Sequence, residues 1–251
     1  MKAMILAAGF GSRLKPLTNE RPKALVDVAG RPMLAWVIDR LAQQGFTDII
    51  INAHHFSNQI ETFASSYANP EVSLTVSLEK EILGTGGGIQ KAAWFFGTEM
   101  FLVHNVDVLT DMELRCLMDA HCCSDALVTL AVKERQSSRH MLFDSEGLLC
   151  GWRSNVTKEI RLVKQSDTFT PLPFMGIYVM SPVVFRKMKE KGPFSIVDFF
   201  IKEVSAGEQI RAFRADDARW ADLGSMDRID AAEVLFKDGW FEKIDTSYNS
   251  R

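Results

Sequence analysis

Apolar runs of strand length alternate with segments of helical spacing along most of this chain, and that alternation restricts it to an α/β architecture built on a parallel-dominated sheet with right-handed crossovers. Ala3-Met4-Ile5-Leu6 reads as a first buried strand. Met33 to Gln44 places Met33, Leu34, Trp36, Val37 and Leu41 at helical spacing, and Gly45 stops it. Further strands are expected at Asp48 to Asn52, Leu74 to Leu78, Met100 to His104, Ala126 to Val132 and Met175 to Met180. Helices are expected to open at Ser57, Gly86, Asp111, Pro182 and Ser195, with a last one over Ser225 to Phe236. From His140 to Pro173 the pattern turns short and polar around Asp144-Ser145-Glu146-Gly147, which predicts a β-hairpin excursion.

Between the first strand and the first long helix lies Leu6-Ala7-Ala8-Gly9-Phe10-Gly11-Ser12-Arg13-Leu14-Lys15-Pro16-Leu17-Thr18, followed by Pro22-Lys23-Ala24-Leu25. Small residues there let the backbone pass close to a flat or anionic ligand, and Arg13 and Lys23 bring two cations to it. A dinucleotide fingerprint would need a glycine where Leu14 stands, and a P-loop would need a Gly-Lys-Ser/Thr ending. The pattern left is a nucleoside triphosphate loop in which an Arg fork holds phosphate oxygens and Lys23 acts as a point charge. The glycine run Leu83-Gly84-Thr85-Gly86-Gly87-Gly88 precedes an apolar helix, so its free N–H groups can face base and ribose, or it can be a plain flexible turn. Asp107 ends an apolar strand at the sheet edge where such folds place ligands, and Asp222 offers a second carboxylate; a cap or a turn is the alternative role for each.

These segments, with Asn105-Val106-Asp107, Phe174-Met175-Gly176-Ile177-Tyr178 and Trp220-Ala221-Asp222-Leu223-Gly224, resemble the signature of the sugar-1-phosphate nucleotidyltransferases over roughly residues 1 to 236. The resemblance implies a Rossmann-like three-layer sandwich of the nucleotide-diphospho-sugar transferase type, with a mixed, mostly parallel sheet. A single domain over 1–236 and a C-terminal tail over 237–251 are expected; family members often add a left-handed β-helix of hexapeptide repeats, but no such repeat is visible here, so that domain is not expected. The resemblance further implies transfer of a nucleotidyl group to a sugar 1-phosphate, releasing pyrophosphate, with Arg13 and Lys23 as catalytic cations and Mg²⁺ held by Asp107 and Asp222. Ala8, Gly9, Gly11, Gly84 and Thr85 would then contact the nucleotide, and Asn105, Glu159 and Gly176 the sugar phosphate. Val106 departs from the small residue usual at its place. Length and the GTGGG segment look most similar to short uridylyltransferases acting on N-acetylmuramic acid 1-phosphate. Guanylyltransferases on mannose or heptose 1-phosphate, a cytidylyltransferase on phosphocholine, and a non-catalytic nucleotide-sugar-binding relative stay as alternatives.

A formal net charge of -3 argues against a sequence-independent nucleic-acid binder, so small molecules are the expected partners. The apolar segment after Lys2 breaks at Gly9, unlike a signal peptide, and no run is long enough to span a bilayer. Cys116, Cys122, Cys123 and Cys150 lack the spacing of a metal knuckle, which suits a reducing cytoplasm and predicts small buried or half-buried thiols.

Overall fold

The computed structural model describes residues 1–237 and divides into two compact units, one formed by Met1–Ile82, Asn105–Asp111 and the chain from Arg219 on, the other by Leu83–His104 and Met112–Ala218. The expected tail lies outside the described residues, save for Lys237 at the end of the last helix.

In the first unit the strands Lys2–Leu6, Asp48–Ala53 and Ser73–Leu78 run parallel, in register from Lys2 opposite Asp48 and Asp48 opposite Ser73. The first two are almost unbroken apolar runs at their centres, as strands covered on both faces require, whereas Ser73–Leu78 alternates and is mostly part-buried. The helices Met33–Gln43 and Ser57–Ser66 make the two crossovers. The first buries Met33, Leu34, Trp36, Val37, Ile38 and Leu41, and Gly45 ends it at φ 81. Ser57 is the first helical residue rather than the cap; Phe56, in the left-handed region at φ 52, takes the cap position.

The second unit pairs Phe174–Met180 antiparallel with both Phe101–Asn105 and Val128–Val132, while Ile210–Arg214 lies parallel to Val128–Val132. Together the two units contain the mixed, mostly parallel sheet expected from the alternation. The polar excursion is a four-stranded antiparallel sheet, ordered Ile160–Leu162, Leu149–Ser154, Arg139–Phe143 and Thr170–Leu172, so the expected hairpin is its centre. The glycine run is itself helical, over Gly84–Lys91, two residues ahead of the expected start, and a separate turn follows over Ala93–Phe96. Ser195 caps Ile196–Ser205 as expected, accepting from the N–H of Val197 at 3.2 Å.

Two short strands were not visible in the pattern, Val108–Thr110 and Trp220–Asp222, and they pair antiparallel within the first unit. Asp111 does not start the next helix, which runs Leu114–Cys122 behind Glu113. Asp111 instead grips the far strand: its Oδ1 accepts from the N–H of Arg219 and its Oδ2 from Arg219 Nε, both at 2.7 Å. Among the cysteines, Cys150 is buried but Cys116, Cys122 and Cys123 are exposed, against the expectation for small apolar side chains.

Candidate active site

The loop after the first strand is folded by its own side chains. Three 3₁₀ turns, Ser12–Leu14, Leu17–Asn19 and Lys23–Leu25, are pinned by Leu14, Thr18 and Ala24, all buried. Gly11 adopts φ 62, and a methyl group built on it would meet Lys23 Cβ and Thr18 Cγ2 at 2.9 Å, so glycine is what lets the loop close on the segment carrying Lys23. Thr18 Oγ1 donates to Gly11 O at 3.0 Å and fixes that closure. Gly9 differs: a methyl group there would meet nothing within 4 Å. The fold does not need this glycine, which leaves close approach of a ligand as the physical reason for it.

Behind the loop, Ala7 N–H donates to Asn52 Oδ1 and Asn52 Nδ2 to Glu79 Oε1, each at 2.7 Å and buried. Glu79 is the base of a buried relay that holds the start of the loop. The sequence pattern carries no signal for this, because Asn52 lies in the strand Asp48–Ala53 and Glu79 follows the strand Ser73–Leu78.

Asp107 and Asp222 lie 115 positions apart in sequence and meet through the short ribbon, in which Asp222 stands opposite Val108 and Leu223 N–H donates to Asp107 O at 2.7 Å. Lys23 Nζ pairs with Asp107 Oδ2, both side chains largely buried. Asp222 Oδ1 accepts from Gly224 N–H at 2.8 Å, and Asp222 Oδ2 pairs with Arg228, a residue that no motif marked. The position of a Gly224 methyl group shows how tightly these groups converge: it would lie 2.7 Å from Arg13 Nη2, 2.7 Å from Asp222 Oδ1 and 3.2 Å from Asp107 Oδ2. Arg13, Lys23, Asp107 and Asp222, named from the sequence, are thus brought together in one unit, with Gly224 and Arg228 added. Asn105 and Val106 precede Asp107; Val106 is 3% exposed and its N–H donates to Leu6 O, so its methyl groups go into packing rather than over the carboxylates.

Among the described residues no three His, Cys, Asp or Glu side chains form a ready-made cage. Two carboxylates converging on one glycine-sized space fit Mg²⁺, which keeps waters and takes phosphate oxygens instead of filling its shell from protein.

The other expected contacts lie in the second unit. Methyl groups on Gly84, Gly86 or Gly87 would strike Phe194, Leu83 or Gly192, so packing against that segment accounts for these glycines. Thr85 Oγ1 accepts from Ile196 N–H at 2.9 Å. Gly176 sits at φ 80 in the irregular stretch of its strand, a conformation only glycine adopts without strain. Glu159 is ion-paired to Arg161 at 2.6 Å and lines a cavity of about 440 Å³ with Trp152, Phe174, Met141 and Asp198. Arg161 also pairs with Asp198 at 2.8 Å and stands over the Trp152 ring.

The family model described as Nucleotidyl transferase matches residues 2–143. Over 114 residues, 45% of this chain, the sequence is 47% identical to the N-acetylmuramate alpha-1-phosphate uridylyltransferase of Neisseria meningitidis, of which it spans about half, 49%. A protein of the same name from Caulobacter vibrioides is 27% identical over 245 residues, covering 92% of this chain and 95% of that one. The crystal structure of HddC from Yersinia pseudotuberculosis complexed with GMP-PN superposes with a TM-score of 0.77 at 21% identity, covering 94% and 99% of the two chains, and so shares the fold. Among the described residues no helix is long and apolar enough to cross a membrane.

Proposed function

The chain belongs to the nucleotidyl transferase family, and from that premise we propose that it joins a nucleoside triphosphate to a sugar 1-phosphate, forming a nucleotide sugar and pyrophosphate. The observation that carries the reading is the convergence of Arg13, Asp107 and Asp222 around Gly224, with Lys23 on Asp107. In this reaction an acceptor phosphate oxygen bonds to the α-phosphorus as the bond from that phosphorus to the bridging oxygen of the leaving pyrophosphate breaks. Both reactants are anions, so the residues' first task is to offset charge before the oxygen can approach.

Arg13, on the bare loop, offers a planar fork to the β- and γ-phosphates and to the departing pyrophosphate. Lys23, buried beside Asp107, supplies a fixed positive charge near the α-phosphate. Asp107 and Asp222 would hold Mg²⁺, which when bound supplies charge neutralisation on phosphate oxygens. Ala8, Gly9 and Gly11 leave backbone open to the nucleotide; Gly84 and Thr85 are assigned to base and ribose, although their own unit already accounts for them by packing. Asn105, Glu159 and Gly176 are assigned to the acceptor, as the resemblance implies.

For substrates we propose uridylyl transfer to N-acetylmuramic acid 1-phosphate, supported by the 47% identity to the Neisseria protein. Pyrophosphate release should be measured with Mg²⁺ for UTP, GTP, CTP, ATP and dTTP against muramic, glucosamine, mannose, heptose and glucose 1-phosphates and phosphocholine. The muramate and UTP pair is expected to lead. A different pair would replace the substrates, and silence across the grid, with Asp107→Asn indistinguishable from wild type in nucleotide binding, would replace the enzyme by a non-catalytic binder.

A further inference from the structure

Arg228 lies in the first turns of the helix Met226–Lys237, outside every motif in the sequence, and its Nη1 pairs with Asp222 Oδ2. Asp222 does not depend on it for position. The strand register sets Asp222 opposite Val108, Leu223 N–H is tied to Asp107 O, and Gly224 N–H holds Asp222 Oδ1, so the carboxylate stays in place if Arg228 leaves. The Arg228 side chain is 50% exposed against 25% for Asp222, so the pair can open by rotation of one long side chain into water.

The charge inventory says what Arg228 is for. Arg13, Lys23 and Arg228 surround two carboxylates, and a divalent cation placed on those carboxylates would leave Arg228 facing like charge. It then needs another anion, and the arriving nucleotide brings a chain of them. We propose that Arg228 is a displaceable counter-charge of the transfer site: it neutralises Asp222 before loading, yields that carboxylate to the divalent cation, and then donates to phosphate oxygens of the nucleotide. The inference rests on the nucleotidyl-transfer reading above and adds a residue to it.

A counter-charge and a structural brace predict opposite signs. Removing a competitor for Asp222 tightens cation binding to the free protein, whereas removing a brace loosens it. Mn²⁺ binding without nucleotide, followed by the electron paramagnetic resonance of free Mn²⁺, should be measured for wild type, Arg228→Gln, Arg228→Lys and Asp222→Asn, together with kcat/KM for the triphosphate. Arg228→Gln is expected to bind Mn²⁺ about threefold tighter or more, since exposed ion pairs are worth a few-fold in equilibrium. The same variant is expected to lose about 10- to 100-fold in kcat/KM, the range for a charge-assisted hydrogen bond to phosphate. Arg228→Lys, which keeps the charge without the fork, should fall between on both readouts, and it serves if the Gln variant fails to fold. Unchanged or weaker Mn²⁺ binding in both Arg228 variants, with Asp222→Asn clearly impaired, overturns the role of Arg228 alone. Asp222→Asn binding Mn²⁺ like wild type overturns the cation site, and Arg228 with it.

Discussion

Gly224→Ala isolates the reacting centre from the fold. Its backbone is not in the left-handed region, so alanine carries no conformational penalty of the kind that burdens Gly11. The added methyl group would lie 2.7 Å from both Arg13 Nη2 and Asp222 Oδ1 and 3.2 Å from Asp107 Oδ2, where ordinary contact begins at 3.4 Å. Each of the first two groups must retreat by about 0.7 Å, and they are ends of side chains that can move cheaply, so stability should change by no more than about 0.5 kcal/mol, or about 2 °C in Tm. Catalysis is far less forgiving, since a displacement of about 1 Å at a reacting centre costs on the order of 100-fold. The assay is continuous pyrophosphate release at saturating Mg²⁺ and substrates, beside a thermal melt. A fall of about 100-fold in kcat with an unmoved Tm is expected. A variant with wild-type kcat would refute the argument that the phosphates react at the point where these three side chains converge.

The two loop glycines should separate in the same manner: Gly9→Ala leaves Tm unchanged but raises the nucleotide KM about tenfold, whereas Gly11→Ala, strained at φ 62 and crowded by Lys23 and Thr18, costs about 1–3 kcal/mol in a melt. His121, buried with its ring nitrogens 2.9 Å from Thr129 Oγ1 and Ser181 Oγ, has its pKa pushed down by burial to about 4. Between about pH 6.5 and 4 the unfolded chain takes up that proton and the native state does not, so stability is full above 6.5 and falls by about 1–3 kcal/mol toward pH 4. Urea titrations at pH 7 and 4.5 should show this, and His121→Gln should flatten it. Native protein is expected to react at Cys116, Cys122 and Cys123 with an aryl disulfide, and at Cys150 after denaturation, because burial raises that thiol's pKa and closes it to reagent.

The loop after the first strand stood out because its pattern is local: cations, small residues and prolines at fixed spacing, with the apolar strand before it. The pairing of Asp107 with Asp222 was available through resemblance but not through pattern. The ribbon that joins them is three residues on each side, too short to show a period, and Asp111 sits where a helix cap and an ion-pair lock look alike. The packing of Gly84, Gly86 and Gly87 in the helix Gly84–Lys91 was not legible, because the sequence does not show the segment of Gly192 and Phe194 lying against them. Arg228 was invisible for a related reason. An arginine in the first turns of a surface helix carries no spacing signal, and its meaning comes from a carboxylate six residues away that is held by a strand.

That short ribbon does more than connect. Side chains on a strand alternate in direction, so a slip of one residue between Val108–Thr110 and Trp220–Asp222 would turn Asp222 away from Asp107 and dissolve the site while leaving both carboxylates in the chain. Three residues of ladder specify a register weakly on their own. The two hydrogen bonds from Arg219 to Asp111, the Thr110 hydroxyl on Arg219 O at 2.7 Å, and Leu223 N–H on Asp107 O fix it at both ends. The carboxylates are thereby set by the backbone, and on the proposed reading the cations for the phosphates already stand beside them. Charge stabilisation of this kind is effective because the groups need little reorganisation at the moment of transfer. On the proposed reading, what must still move is limited to a side chain, Arg228 leaving Asp222, while the backbone that positions the site stays as it is.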